Sequence, residues 1–220
     1  MESEDCYCLG LEQDGRQITS VTSNAAQVLL TAIATPEHAR KTSERMMRPD
    51  MFSGSGVRTL SADHAAFDPL AYQQGSVWSF DNALIVSDLR RNAEDKSALR
   101  VTAATLDSAR GFRNGRLPEF IAGVQRLAGD APTHTPRADP MKAWPAAAMP
   151  FMVSELLGLE ADGFDKRLDI RRPLLPDSVD TLTLHRVAVG NATVSVRFTR
   201  HATGASAAVF ANDSGVEVVI

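Results

Sequence analysis

The sequence predicts a mainly α body followed by a small C-terminal antiparallel β-module. Residues 76–91 carry Val77, Phe80, Leu84 and Val86 to Leu89 near one side of a 3.6-residue period. After Gly158 the period falls to that of a strand, in 167–170, 181–188, 193–199, 207–211 and 216–220. Between these regimes, paired helical stretches alternate with loops rich in Gly and Pro, as helical hairpins set side by side would read. The division expected is a helical domain over 1–158 and a β-module over 159–220.

The elements follow in order. Residues 6–22 read as two short extended pieces around Gln13-Asp14-Gly15-Arg16, where Asp-Gly is a hairpin signal. Asn24 is placed to cap a helix carrying Val28, Leu29, Leu30, Ala32 and Ile33. Thr35-Pro36-Glu37 restarts a helix, with Pro at its first position and an acid in its first turn, and that helix ends near Met47. Residues 49–74 keep no helical period and contain Gly54, Gly56 and Pro69, so they form a long loop. Met51, Phe52, Leu60, Phe67 and Tyr72 predict that this loop is ordered. Helices are expected from Ser76 to Arg91 and from Ala93 to Ala109, the second broken by Gly111 and Gly115. A shorter helix is expected over Pro118 to Leu127, a Pro-rich loop over 129–140, and a buried helix from Met141 to Leu157. In the β-module, Pro173-Leu174-Leu175-Pro176 is a rigid bridge and Gly190-Asn191 suits a tight turn.

Composition bounds the function. Of 220 residues, 44% are hydrophobic and 23% charged, ordinary values for a globular chain. A net charge of -4 offers no basic stripe for repeated phosphate contacts, which argues against nucleic acid. The pairs Arg90-Arg91 and Arg171-Arg172 suit solvated element ends. No segment is apolar for long enough to span a bilayer. Met1 to Asp5 is acidic and unlike a secretory signal, so a cytoplasmic location is expected. Cys6 and Cys8 stand too close for a disulfide of ordinary geometry and lack nearby ligands for a metal, which leaves them structural or incidental.

Two runs carry the chemistry. Leu70 to Asn82 gathers Tyr72, Gln73, Gln74, Trp78, Asp81 and Asn82 around Gly75, a composition suited to gripping a sugar. Leu117-Pro118-Glu119-Phe120 sets one carboxylate between apolar neighbours. Glycosidic cleavage uses an acid for the leaving oxygen and a base or nucleophile on the other face. Glu119, at an expected helix start, suits the base, since a helix N-terminus favours the anion. It equally suits a first-turn acid with no further role. Asp81 fits a hydrogen bond to a sugar hydroxyl, an acid, or a partner of the helix dipole. Trp78 and Tyr72 fit a stacking platform or the core. His64 fits a ligand donor or a partner of Asp63. The His-Glu-x-x-His, P-loop, Gly-x-Gly-x-x-Gly and Gly-x-Ser-x-Gly patterns are absent, and no cofactor is implied.

These pieces stand in the order of a known family. Thr22-Ser23-Asn24, Met51-Phe52-Ser53-Gly54, Gly56 to Ser61, Asp63-His64, Gly75 to Trp78, Asp81-Asn82, Leu117-Pro118-Glu119 and Ala143-Trp144 resemble the C-terminal portion of bacterial glycogen-debranching-type enzymes. That family is similar to amylo-alpha-1,6-glucosidases and other six-hairpin glycosidases. The resemblance implies part of an (α/α)6 barrel and an inverting hydrolysis of α-glucosidic bonds in glucans or oligosaccharides. Glu119 would then be general base, and Arg58, Asp63, His64, Tyr72, Trp78, Asp81 and Trp144 would line the sugar subsite. Ser55, Gln73-Gln74 and Ser79-Phe80 depart from the family pattern, which has Trp, His-Arg and Pro-His there. The family's acid carboxylate lies upstream of this stretch, and a closed barrel needs about twice the helices predicted here. The resemblance therefore implies completion by a partner chain carrying the missing N-terminal half or by a homo-oligomer. Alternatively, the chain is an inactive remnant or split subunit that binds carbohydrate or another protein.

Overall fold

The computed structural model describes residues 1–31, 33–127, 129–212 and 215–220. Among them the fold is mixed α/β rather than mainly α, and it divides into a body over Met1–Met152 and another over Val153–Ile220.

The first body opens with an antiparallel hairpin, β1 (Gly10–Leu11) on β2 (Gln17–Ile18). Asp14 closes its turn by accepting from the Arg16 backbone N at 3.1 Å and from Arg16 Nε at 2.6 Å. Helix α1 (Asn24–Gln27) continues as a 3₁₀ turn over Val28–Thr31. Ser23, not Asn24, stands at its N-cap position, and Asn24 is the first helical residue. Of the apolar positions expected here, Ala32 and the side chain of Leu30 lie outside the described residues. Helix α2 (Pro36–Met46) keeps its expected start, with Thr35 accepting from the His38 backbone N and Glu37 in the first turn.

Residues 49–78 carry no helix, as their glycines and prolines predict, but they are tied down closely. Arg45 grips Asp50 with two N–H groups at 2.9 and 2.8 Å, and Ser61 Oγ donates to Asp50 at 2.5 Å. Asn82 accepts from the Val57 N at 2.7 Å and donates to the Val57 carbonyl at 3.0 Å. Asn82 belongs to α3 (Ser79–Arg91), which begins three residues after the expected Ser76. Its Ile85, Val86 and Leu89 are wholly buried. Helix α4 (Asp95–Ala109) packs beside it. Arg90, expected at a solvated helix end, is instead buried and paired with Asp95.

The helix expected over Pro118 to Leu127 does not form. This segment is an extended thread whose backbone is satisfied by other parts of the chain. Glu119 N donates to the Asp139 carbonyl at 2.8 Å, and Ile121 exchanges both hydrogen bonds with Val77 at 2.8 and 2.9 Å. Ala122 donates to Thr133, Gly123 to Pro69 and Arg126 to Ser53. Backbone groups must be paired somewhere, and here long-range partners displace the local i to i−4 ladder. Helix α5 (Ala143–Leu157) follows, with Pro150 inside it.

In the second body, β3 (Leu159–Asp162) pairs antiparallel with β4 (Arg167–Ile170). Strands β5 (Thr181–Val189), β6 (Ala192–His201) and β7 (Gly204–Ala211) form an antiparallel meander. Gly190, at φ 60°, closes the turn between the first two. The body is not purely antiparallel, because β8 (Glu217–Val219) lies parallel to β4. Strand β3 escaped the sequence reading: apart from Leu159 its residues are exposed, so no buried face marks it. Leu168, Ile170, Val194, Val196 and Phe198 form the core of this body.

Candidate active site

The extended thread places Glu119, so a helix dipole plays no part in holding its charge. Its side chain is buried, and Oε1 accepts from the Tyr72 hydroxyl at 3.0 Å. Lys142 Nζ stands 3.5 Å from the same oxygen. The carboxylate beside Tyr72 pushes that phenol above its usual range. An aromatic wall surrounds the pair. The Tyr72 ring meets Trp78 edge-on at 4.7 Å and Phe120 at 5.3 Å, while Trp78 stacks on Phe120 at 5.3 Å. Trp78 Nε1 donates to the Tyr72 carbonyl at 2.9 Å, which fixes the indole within the wall. The wall continues through Phe80 to Trp144, whose rings lie 5.3 Å apart and whose indole is 64% exposed. The Asp139 backbone N donates to Oε2 at 3.5 Å, and a carboxylate so held, with an ammonium near and an apolar wall beside it, can take a proton from water.

Asp81 occupies the first turn of α3 and is 5% exposed. Gln27 Nε2 donates to its Oδ1, whereas Oδ2 has no hydrogen-bond partner. Burial pushes this carboxyl above the usual aspartate range, against the lowering influence of Ser23 and Gln27. Beside it opens a cavity of about 400 Å³, into whose lining Trp78, Phe80, Thr22 and Gln73 also enter. Thr22 Oγ1 is a second buried oxygen there without a partner. Each such group costs about 1–3 kcal/mol when left unsatisfied.

The remaining expected residues stand apart from both groups. Arg58 is 2% exposed, with Nε donating to the Gly123 carbonyl at 2.6 Å and Nη1 to Pro49 at 2.8 Å. Its Nη2 donates to Gln125 at 2.9 Å, so all three guanidinium nitrogens bond within the protein. Burial lowers its pKa from the ordinary arginine value. His64 Nε2 lies 3.2 Å from Ser20 Oγ, and its Nδ1 accepts from the Ala66 backbone. Asp63 is exposed. No hydrogen bond among the described residues links these three to Glu119 or Asp81. Cys6 and Cys8 are free thiols, and no group of three metal-ligating side chains occurs among the described residues. No helix among them is long and apolar enough to cross a membrane.

Residues 4–119 match the family model of the mannosylglycerate hydrolase MGH1-like glycoside hydrolase domain, more than half of the chain. The chain belongs to that family. The match runs to Glu119 and takes in Tyr72, Trp78 and Phe80 of the aromatic wall and every residue lining the Asp81 cavity. It shows a glycoside hydrolase domain, and not specifically the glycogen-debranching type that the motifs resemble. Among solved structures, the MGH1-like chain is similar to an uncharacterized conserved protein from Thermus thermophilus, with 20% identity and a TM-score of 0.52 over 63% of this chain. It is similar also to the GH63 mannosylglycerate hydrolase of the same organism, crystallised with glucose, at 19% identity and a TM-score of 0.51 over 63% of this chain. At these identities the likeness is one of fold. The MGH1-like chain spans only 33% and 30% of those two proteins. No curated protein matches it.

Three residues of these sites were not singled out from sequence. Asp139 reaches Glu119 from the end of the Pro-rich loop and Lys142 from the expected start of the following helix, and neither position carries a local signal of that contact. Gln27 lies in a four-residue helix and reaches Asp81 on α3, a pairing that local pattern does not reveal. Thr22 and Ser23, by contrast, already belonged to the first resembling motif.

Proposed function

We propose that this MGH1-like chain supplies one wall of a glycoside hydrolase centre, with Glu119 as the general base. Hydrolysis would proceed by inversion on α-glucosidic bonds of glucans or oligosaccharides, as its resemblance to debranching-type enzymes implies. The observation that carries this reading is the setting of Glu119: a buried carboxylate that accepts from the Tyr72 hydroxyl and the Asp139 backbone N, pairs with Lys142, and lies beside the Tyr72, Trp78 and Phe120 rings. Aromatic faces suit the C–H faces of a pyranose, and Trp144 offers an exposed one. The acid carboxylate would come from a partner chain that completes a six-hairpin barrel, or from another carboxylate of this chain. Arg58 supports the wall in this scheme rather than touching sugar. In an active assembly, Glu119→Gln should lower turnover by at least about a hundredfold while oligosaccharide binding stays within about threefold. Unchanged turnover would remove Glu119 from the role.

A second reading is favoured by the departures from the family pattern at Ser55, Gln73, Gln74 and Phe80. In it the chain would bind sugar or another chain without hydrolysing anything itself. This reading expects saturable oligosaccharide binding and no released sugar.

A further inference from the structure

Lys142 stands between two carboxylates. Its Nζ lies 3.5 Å from Glu119 Oε1 and 3.7 Å from Asp139 Oδ2. Main-chain bonds hold these two acids side by side. Glu119 N donates to the Asp139 carbonyl at 2.8 Å, and Asp139 N donates back to Glu119 Oε2 at 3.5 Å. Asp139 Oδ1 accepts from the Met141 N at 3.0 Å, which leaves Oδ2 for Lys142. The Tyr72 hydroxyl is the other group bonded to Glu119 Oε1. Arg116 lines the same cavity of about 550 Å³ as Lys142, and no ion pair among the described residues joins it to either acid.

The three side chains differ in freedom. That of Glu119 is 10% exposed, that of Asp139 47% and that of Lys142 40%. The carboxylate of Glu119 is fixed, whereas the ammonium rides on a flexible four-carbon stem. This difference matters for a general base. When water gives Glu119 a proton, the water oxygen bonds to the sugar carbon and the acid protonates the leaving oxygen. Glu119 ends neutral. A cation fixed beside it would oppose that transfer, because a nearby positive charge favours the ionised carboxylate. A cation with a second carboxylate in reach opposes it less.

We infer that Lys142 is a positioning residue whose ammonium passes from Glu119 to Asp139 as Glu119 takes its proton. With Glu119 ionised, Lys142 holds two like charges together. With Glu119 neutral, it pairs with Asp139 alone. The inference rests on the hydrolytic reading and adds a mobile charge to it.

Glu119→Gln copies the neutral carboxyl in shape, so the handover is tested on the full chain without any turnover. In that variant, Asp139→Asn should raise the unfolding equilibrium constant about two- to fivefold, the range of a partly exposed ion pair. The effect should disappear once Lys142→Gln is added. Asparagine keeps the oxygen that Met141 uses, so the local turn is spared. An Asp139→Asn with no effect in this background, or with the same effect when Lys142 is replaced, would overturn the inference. In an active assembly, Asp139→Asn should lower kcat about two- to fivefold with KM within about twofold. Adding Lys142→Gln should recover most of that loss, since no stranded cation remains. A kcat loss that the second substitution leaves in place would also overturn the inference. The hydrolytic reading fails separately: no turnover in any assembled form, with the stability coupling intact, would leave the charge pairing standing and Glu119 without its reaction.

Discussion

At the scale of single residues, Asp81 and Arg58 show how burial and pairing assign different roles to charged groups drawn from one motif series. Arg58 meets backbone carbonyls and Gln125, so its charge is spent on holding three segments together. Asp81 keeps an oxygen free beside a cavity. Its raised pKa has a thermodynamic signature. A carboxyl whose folded pKa exceeds its unfolded one stabilises the fold below the ordinary aspartate range, and that stability is lost as pH rises through the folded value. Asp81→Asn cannot ionise. Thermal melts should therefore show this variant more stable than the parent at neutral pH, with the gain vanishing below the ordinary aspartate range. A variant less stable than the parent at pH 7 would mean that the hydrogen bonds from Ser23 and Gln27 outweigh the burial of the carboxylate. The sequence singled out Asp81, Tyr72, Trp78 and Glu119 as candidates because each sits in a compositionally unusual run. It could not separate Arg58 from them, because donors consumed by distant carbonyls leave no local trace.

At the scale of elements, helices with strong periodicity were legible and the thread through Glu119 was not. Helices α2, α3 and α4 carry their own caps, first-turn acids or apolar faces. The segment 118–127 begins with Pro-Glu and apolar residues and so resembles a helix start, yet its bonding partners lie in several other segments. Gly123 marks how closely that thread runs past the 75–76 backbone. A Cβ placed there would stand 1.7 Å from the Gly75 carbonyl oxygen, so one main chain would have to move. Gly123→Ala should cost about 3 kcal/mol by denaturant unfolding, at the upper end for an overpacked site. A loss under about 0.5 kcal/mol would show that the thread yields easily there. In the second body, alternation revealed the meander and Gly190-Asn191 its turn, whereas the parallel pairing of β8 with β4 is a matter of topology that no period encodes.

At the scale of the whole chain, one exposed apolar surface bears on association. Trp144 and Phe151 on α5 and Phe80 and Leu84 on α3 line an apolar groove of about 230 Å³. Apolar surface of this kind commonly marks an association site. Light scattering should give a mass above the 23.7 kDa of a single copy, at least when maltooligosaccharide is added. A monomer at every concentration and with every sugar would count against completion by a second copy and direct attention to a different partner chain. The partial barrel expected from the motifs belongs to this scale, and the mixed α/β arrangement of the described residues does not display it.

The thread that carries Glu119 also bears on how the molecule becomes competent. Its hydrogen bonds join it to Ser53, Pro69 and Val77, all far back along the chain, and to Thr133 and Asp139 ahead. Contacts of such separation form late, after their loop-closure entropy has been met. The carboxylate therefore has no defined position until the first body has closed around it. The amide hydrogens of Ile121 and Gly123 should exchange only through global opening, at rates that track denaturant stability, while those of β1 and β2 exchange faster. In a refolding experiment, sugar-directed chemistry would return with the last folding phase and never before it.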